Sequence, residues 1–263
     1  MDQIIEINGL SKTFFSEKKQ AVCALKNIDL NIKDQEFVCL IGPSGSGKST
    51  LLRLMEGLIK PSTGSIKVMD KPLEKPIAQA GMVFQEYSLL PWRNIIDNVV
   101  LGLEFRKMAK RERYEKAKDI LKKFGLEDFH ESFPHELSGG MKQRAAIARA
   151  IATSPKILYM DEPFGALDAY TRFQMQKELI SFWIEEKRTI VFVTHSVEEA
   201  VFLGTRVIVM SARPGEIMGD FHIDLPYPRD RWNEEFAQYF KKLMDLMNRA
   251  NEGKLMKGCV NND

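Results

Sequence analysis

The stretch Gly42-Pro43-Ser44-Gly45-Ser46-Gly47-Lys48-Ser49-Thr50 follows a short apolar run, Phe37 to Ile41, and leads into Leu51 to Met55. The run has the length and composition of a buried strand, and the residues after the loop begin a helix. Strand, glycine-rich loop and helix N-terminus together make a cradle for phosphate, because loop N–H groups and the positive helix end both face an anion. In the pattern G-x-x-x-x-G-K-S, Gly42 and Gly47 let the backbone approach oxygens closely. Lys48 reaches the outer phosphates, and Ser49 offers a hydroxyl to Mg²⁺. A Gly-Ser surface turn that happens to carry a lysine would not need a strand and a helix at its two ends. The loop alone leaves kinase, GTPase and ATPase chemistry open.

The chain has 263 residues and a formal net charge of +2. That length suits one large α/β domain or two small ones, and the near-neutral balance gives no basic field of the kind that marks nucleic-acid binding. Cys23, Cys39 and Cys259 have separations that suit neither a zinc site nor a disulfide framework, so a reducing cytosol is expected. No amino-terminal signal peptide is visible, and no run approaches the roughly 20 apolar residues of a membrane span. Work at a membrane would go through a partner.

On the amino side of the loop, Ile4, Ile5 and Ile7, then Leu25, Ile28, Leu30 and Ile32, lie in short segments that read as strands of a half-buried antiparallel sheet. Between them Ser11 to Gln20 reads as a polar turn carrying Phe14 and Phe15. An aromatic there invites stacking on adenine, but spacing favours the plainer reading that both rings cover the sheet. On the carboxyl side, Thr63-Gly64 marks a turn, and Ser65 to Met69 and Gly81 to Phe84 read as strands. Gln85 lies just past a strand end, where ligands gather in open α/β sheets, although a strand-end cap fits as well. Asn94 to Phe124 is mostly helical: Tyr114, Ala117, Leu121 and Phe124 share a face and Gly125 supplies the stop. The charges of Lys110 to Asp119 mix both signs and read as a solvated surface. At its entrance Tyr87, Leu89, Leu90 and Trp92 are either the core of this insert or an exposed patch kept for a partner.

Leu137-Ser138-Gly139-Gly140-Met141-Lys142-Gln143-Arg144 opens an alanine-rich helix. Ser138 with the two glycines offers free N–H groups at a positive helix end, a second candidate anion site or a plain serine cap. Lys156 to Met160 is a buried strand ending in Asp161 and Glu162. One acid would hold Mg²⁺ and the other would take a proton from an attacking water, unless the pair is a solvated strand end. Asp168 caps a helix running to about Trp183. Thr189 to Val193 is a further strand, Ser196 and Glu199 have capping-box spacing, and His195 is left at the strand-to-helix turn on the edge that carries the carboxylates. Arg206 to Met210 reads as the last core strand and Ala212 to Gly215 as a turn, followed by a proline-broken linker, Asp224 to Arg231. Trp232, Phe236, Phe240, Leu243 and Met247 form a helical stripe, and the mixed charges beside it favour packing on the protein over a membrane surface.

With the glycine loop, Gln85, Leu137 to Arg144, Ile157 to Glu162, Leu167-Asp168 and His195 in this order, the chain resembles the ATPase subunit of an ATP-binding cassette transporter over nearly its whole length. The resemblance implies a P-loop NTPase (RecA-like) core with an amino-terminal antiparallel β subdomain and a helical insertion. It also implies ATP and Mg²⁺ as ligands. In that family Phe14 is the aromatic on adenine, with Phe15 beside it the other choice. Gly42 to Thr50 holds the phosphates, and Ser49, Gln85 and Asp161 serve Mg²⁺, Gln85 also sensing the attacking water. Glu162 is the general base and His195 the γ-phosphate switch. Ser138, Gly139 and Gly140 bind the γ-phosphate of ATP held by a second copy, and Asp168 lies in the loop crossing that interface.

Two anion sites with one phosphate loop then belong to a head-to-tail dimer with two ATP at its interface. The expected division is a nucleotide-binding core with its β subdomain at 1–86 and 155–220, a helical subdomain at 87–154, and a linker with an amphipathic helix at 221–263. Within the family, Leu89 to Val99 and Arg213 to Ile217 resemble subunits that energise import of nitrate, sulfonates and taurine. That implies a transmembrane permease as partner, a solute-binding protein indirectly, and a peripheral place on the cytoplasmic face of the membrane. The competing expectations are a soluble cassette ATPase acting on ribosomes or DNA, and an ATP-gated clamp without turnover. Glu162 argues against the clamp, which needs no base.

Overall fold

Two antiparallel strands, β1 (Gln3–Phe15) and β2 (Ala21–Lys33), open the chain, each 13 residues long. Ser11 to Phe15 therefore belong to β1 and not to a turn: the pairings of Thr13 with Cys23 and Phe14 with Val22 carry the ladder past the half-buried polar side chains. Register shifts between Ile7 and Thr13 bend the pair as bulges do. The computed structural model describes residues 2–15 and 20–258, with side chains through residue 252, so Cys259 lies outside the described residues. By chain contacts it comprises two units, Met1–Ile77 with Thr189–Asp263, and Ala78–Arg188.

In the first unit, β3 (Phe37–Ile41) is buried along its whole length and feeds the glycine loop and α1 (Lys48–Glu56). β4 (Thr63–Val68) joins the free edge of β1 and β5 (Lys71–Pro72) follows it, giving the sheet order β2-β1-β4-β5. Thr63-Gly64, read as a turn, opens β4, where Gly64 has a φ of 80°.

The second unit holds β6 (Ala80–Val83), α2 (Ile95–Phe105), α3 (Lys110–Lys123), α4 (Gly139–Ala152), β7 (Ile157–Asp161) and α5 (Ala169–Glu186). β6 and β7 pair in parallel. The expected helical stretch is two helices, because Asn94 caps α2 and a break at Arg106 to Ala109 precedes α3. Leu103, Ala117, Leu121, Phe124 and Ile147 are buried where α2, α3 and α4 pack together.

From Thr189 the chain rejoins the first unit with β8 (Thr189–Val193), α6 (Val197–Leu203), β9 (Arg206–Met210), β10 (Ile217–His222) and α7 (Glu234–Gly258). β3 lies between β8 and β9, parallel to both. All three are buried end to end, as parallel strands covered on both faces must be. β9 is the last strand buried end to end, and a further half-exposed strand, β10, pairs antiparallel to it. The alternating exposure of β10 leaves it without the apolar run that marks its neighbours. The proline-broken linker is strapped down: buried Arg229 donates to the carbonyls of Val201, Gly204, Leu225 and Ile223. Phe236, Leu243 and Met247 of α7 are buried and α7 packs on α6, β9 and β10, as the stripe predicts, whereas Trp232 stands 94% exposed ahead of the helix.

Candidate nucleotide site

The candidate residues fall into one group in each unit. In the first, the glycine loop leaves the carboxyl end of β3, and Gly47 caps α1 with a φ of 86°. A Cβ on Gly47 would lie 2.6 Å from Leu25 Cδ2, and one on Gly42 would lie 2.8 Å from the Met210 carbonyl and from Ser46 Oγ. The glycines are thus required by the protein packed behind the loop as well as by any anion in front of it. Ser44 and Gly45 are exposed at the tip, and Ser46 is buried. Lys48 is only 6% exposed. Its ammonium donates to the carbonyls of Gly42 at 2.8 Å and Pro43 at 3.1 Å and reaches Ser46 Oγ at 3.4 Å. A buried ammonium needs such acceptors, and they hold a positive charge inside the loop. Ser49 and Thr50 follow in the first turn of α1, where N–H groups lack helical partners. Loop and helix end fit a polyphosphate.

His195 comes to the same edge. Leu40 of β3 pairs with Val193 of β8, and the next amide, Thr194 N–H, donates to the Leu40 carbonyl at 3.1 Å. His195 is therefore two residues past the end of β8, beside the loop, and it is exposed. The capping box forms by half: Ser196 Oγ accepts the Glu199 N–H at 3.2 Å, but the Glu199 carboxylate accepts the Thr194 hydroxyl, and Thr194 in turn accepts the Ser196 N–H at 3.0 Å. Buried Thr194 needs those partners and takes them from the box.

Phe14 and Phe15 end β1 on opposite faces by strand alternation. The Lys12 ammonium lies 5.0 Å from the Phe14 ring centroid. Phe15 is 74% exposed, so it does not cover the sheet as spacing alone suggests.

In the second unit, Gln85 follows β6 and is exposed. Two residues on, Tyr87 Oη lies 3.0 Å from where a Cβ on Gly139 would stand. Ser138 caps α4, its Oγ accepting the Met141 N–H at 3.3 Å, and Gly139 and Gly140 are the first helical residues. A Cβ on Gly140 would lie 2.6 Å from Thr171 Cγ2, so the bare backbone here is enforced by Tyr87 on one side and α5 on the other. Asp161, 4% exposed, is the last residue of β7. Glu162 takes a φ of 44°, which ends the extended geometry and the alternation that sends adjacent side chains to opposite faces. Asp168 caps α5, accepting the Thr171 N–H at 3.0 Å, and hydrogen bonds from the Thr171 side chain and backbone hold its carboxyl below the usual range.

Leu89 and Leu90 are half-buried and Trp92 is 72% exposed, so the cluster after Gln85 contributes to the insert and also shows an aromatic to solvent. Among the described residues no group of three or more His, Cys, Asp or Glu side chains could hold a metal ion. Sequence reasoning missed Arg149 and Arg213. The first bonds to the carbonyls of Tyr87 and Ser88, and the second lies against Gly45. No local motif signals either, because both contacts arise from pairing of distant segments.

The ABC transporter family model matches residues 25–165. The nitrate import ATP-binding protein of Synechocystis sp. is 46% identical over 252 residues, spanning 92% of this chain and 94% of that one. The taurine import ATP-binding protein of Rhizobium johnstonii is 48% identical over 221 residues, 84% of each chain. The aliphatic sulfonates import ATP-binding protein of Bacillus cereus is 40% identical over 246 residues, 94% and 96% of the two chains. Among solved structures, a dimeric ATP-binding cassette in a post-hydrolysis state with ADP and Pi superposes with a TM-score of 0.76 at 34% identity, covering 84% of this chain and all of that one. No helix among the described residues is long and apolar enough to cross a membrane. A loop built round Lys48, His195 at the adjoining strand end, the family match and these relatives show that the chain belongs to the ABC transporter family as an ATP-hydrolysing cassette.

Proposed function

We propose that this cassette energises import of a small solute of the nitrate, sulfonate or taurine kind through a membrane permease, from a peripheral position on the cytoplasmic face. The observation that carries this reading is the kinship with three import subunits, each matched over at least 84% of its length. A solute-binding protein would deliver the solute to the permease.

In the chemical step, Lys48 and the loop amides bind and orient the β- and γ-phosphates of ATP. Glu162 accepts a proton from the attacking water, with Gln85 orienting that water and His195 meeting the γ-phosphate. Ser49, Gln85 and Asp161 are the residues to hold Mg²⁺, which when bound neutralises phosphate charge. Phe14 offers its ring to adenine. Ser138, Gly139 and Gly140 serve the ATP bound by a second copy, and Asp168 lines the interface between copies. ATP then favours the closed dimer through contacts that the open state lacks, and hydrolysis releases it.

Affinity purification of the full chain from its own cells tests the reading. A hydrophobic permease is the expected companion, and a clean association with ribosomes or DNA in its place would overturn import.

A further inference from the structure

The turn between β9 and β10 is stitched to the phosphate loop. Ser211 Oγ accepts the Glu216 N–H at 2.9 Å and reaches the Pro214 and Ala212 carbonyls at 2.9 and 3.0 Å, which closes the turn on itself. Gly215 N–H donates to the Ala24 carbonyl at 2.9 Å, and the Gly215 carbonyl accepts the Lys26 N–H at 3.0 Å, which ties the turn to β2. A Cβ on Gly215 would lie 2.0 Å from the Ser46 carbonyl and 3.0 Å from Leu25 Cδ2, so turn, β2 and loop are in contact with no room to spare.

This packing fixes the place of Arg213. Its side chain is exposed, and its Nη2 lies 3.5 Å from where a Cβ on Gly45 would stand, against the tip of the loop. Among the described residues no hydrogen bond or ion pair occupies the guanidinium. Backbone contacts hold a charge there whose counter-ion the protein does not supply, beside a loop whose own ammonium is caged by carbonyls.

We propose that Arg213 is an accessory phosphate-binding cation, which adds a second positive charge to the field at the loop tip and draws the nucleotide's polyphosphate toward Lys48. The inference rests on nucleotide binding by this loop. Two charges several ångströms apart near a protein surface interact enough to shift affinity by about threefold to tenfold. The benefit grows with ligand charge and fades with salt.

Equilibrium binding of fluorescent ATP and AMP analogues to the full chain, in low and high KCl, tests this with Arg213→Gln, Arg213→Lys and Lys48→Ala. Arg213→Gln should weaken ATP about threefold to tenfold at low salt and AMP less, with the gap narrowing in high salt, and Arg213→Lys should retain most of the affinity. If Arg213→Gln binds ATP as the parent does while Lys48→Ala loses binding, the role of Arg213 is overturned and the phosphate loop stands. If Lys48→Ala binds ATP normally, the nucleotide reading of the loop fails first. An equal loss for ATP and AMP, insensitive to salt, would mark Arg213 as structural and overturn the proposal as well.

Discussion

The guanidinium of Arg149, in the last turn of α4, donates to the Ser88 carbonyl at 2.6 Å and to the Tyr87 carbonyl at 3.3 Å. Tyr87 also places its hydroxyl against Gly139 at the first turn of the same helix. The segment after Gln85 is thereby held at both ends of the helix that Ser138 caps. Arg149→Met should lower kcat roughly tenfold with little change in KM for ATP, since it misplaces Gln85 and Ser138 without touching Lys48. Arg149→Lys, which keeps the charge but has one nitrogen in place of the two that reach Ser88 and Tyr87, should fall between. Steady-state phosphate release against ATP concentration checks both.

The parts of this site built from one continuous stretch were legible in the sequence. The loop, the Ser138 cap and the Asp168 cap each follow from residues three or four apart. The run of β7 into Asp161 was legible for the same reason, because burial and backbone chemistry act locally there. β10 was not, since its half-exposed residues form no apolar run and its pairing depends on β9. Ser11 to Phe15 looked like a turn because side-chain polarity says nothing about where backbone N–H groups go. Arg149 and Arg213 were invisible for a further reason: each acts on a segment tens of residues away, which only the folded chain brings near.

Glu56 ends α1 with Oε2 buried and without a hydrogen-bond partner, and burial pushes its carboxyl from 4.5 up to about 7. The helix C-terminus also disfavours a negative charge there. Because the folded-state value is raised, stability associated with the protonated acid is fully present below pH 4.5 and is lost as pH rises through about 7. Glu56→Gln should therefore raise Tm at pH 8, with the gain shrinking toward pH 4.5. Thermal unfolding across that range checks the sign.

Arg206 of β9 binds both oxygens of Asp220 at 2.7 and 2.6 Å, Glu36 at 3.2 Å and the Asn31 carbonyl at 2.7 Å. Asp220 and Glu36 hold the guanidinium charged, raising its pKa. Arg206→Met leaves the mostly buried Glu36 without this partner and should cost about 2–4 kcal/mol in chemical denaturation, with β10 loosening first in hydrogen exchange.

We propose Glu162 as the base of an ATPase whose sites are completed by a second copy. Light scattering of Glu162→Gln with ATP, run beside its hydrolysis rate, tests it most directly. Hydrolysis should slow by about 10² to 10⁴ with ATP still bound, and a dimer should persist while ATP is present. A variant that stays monomeric with ATP and turns it over at the parent rate would contradict it.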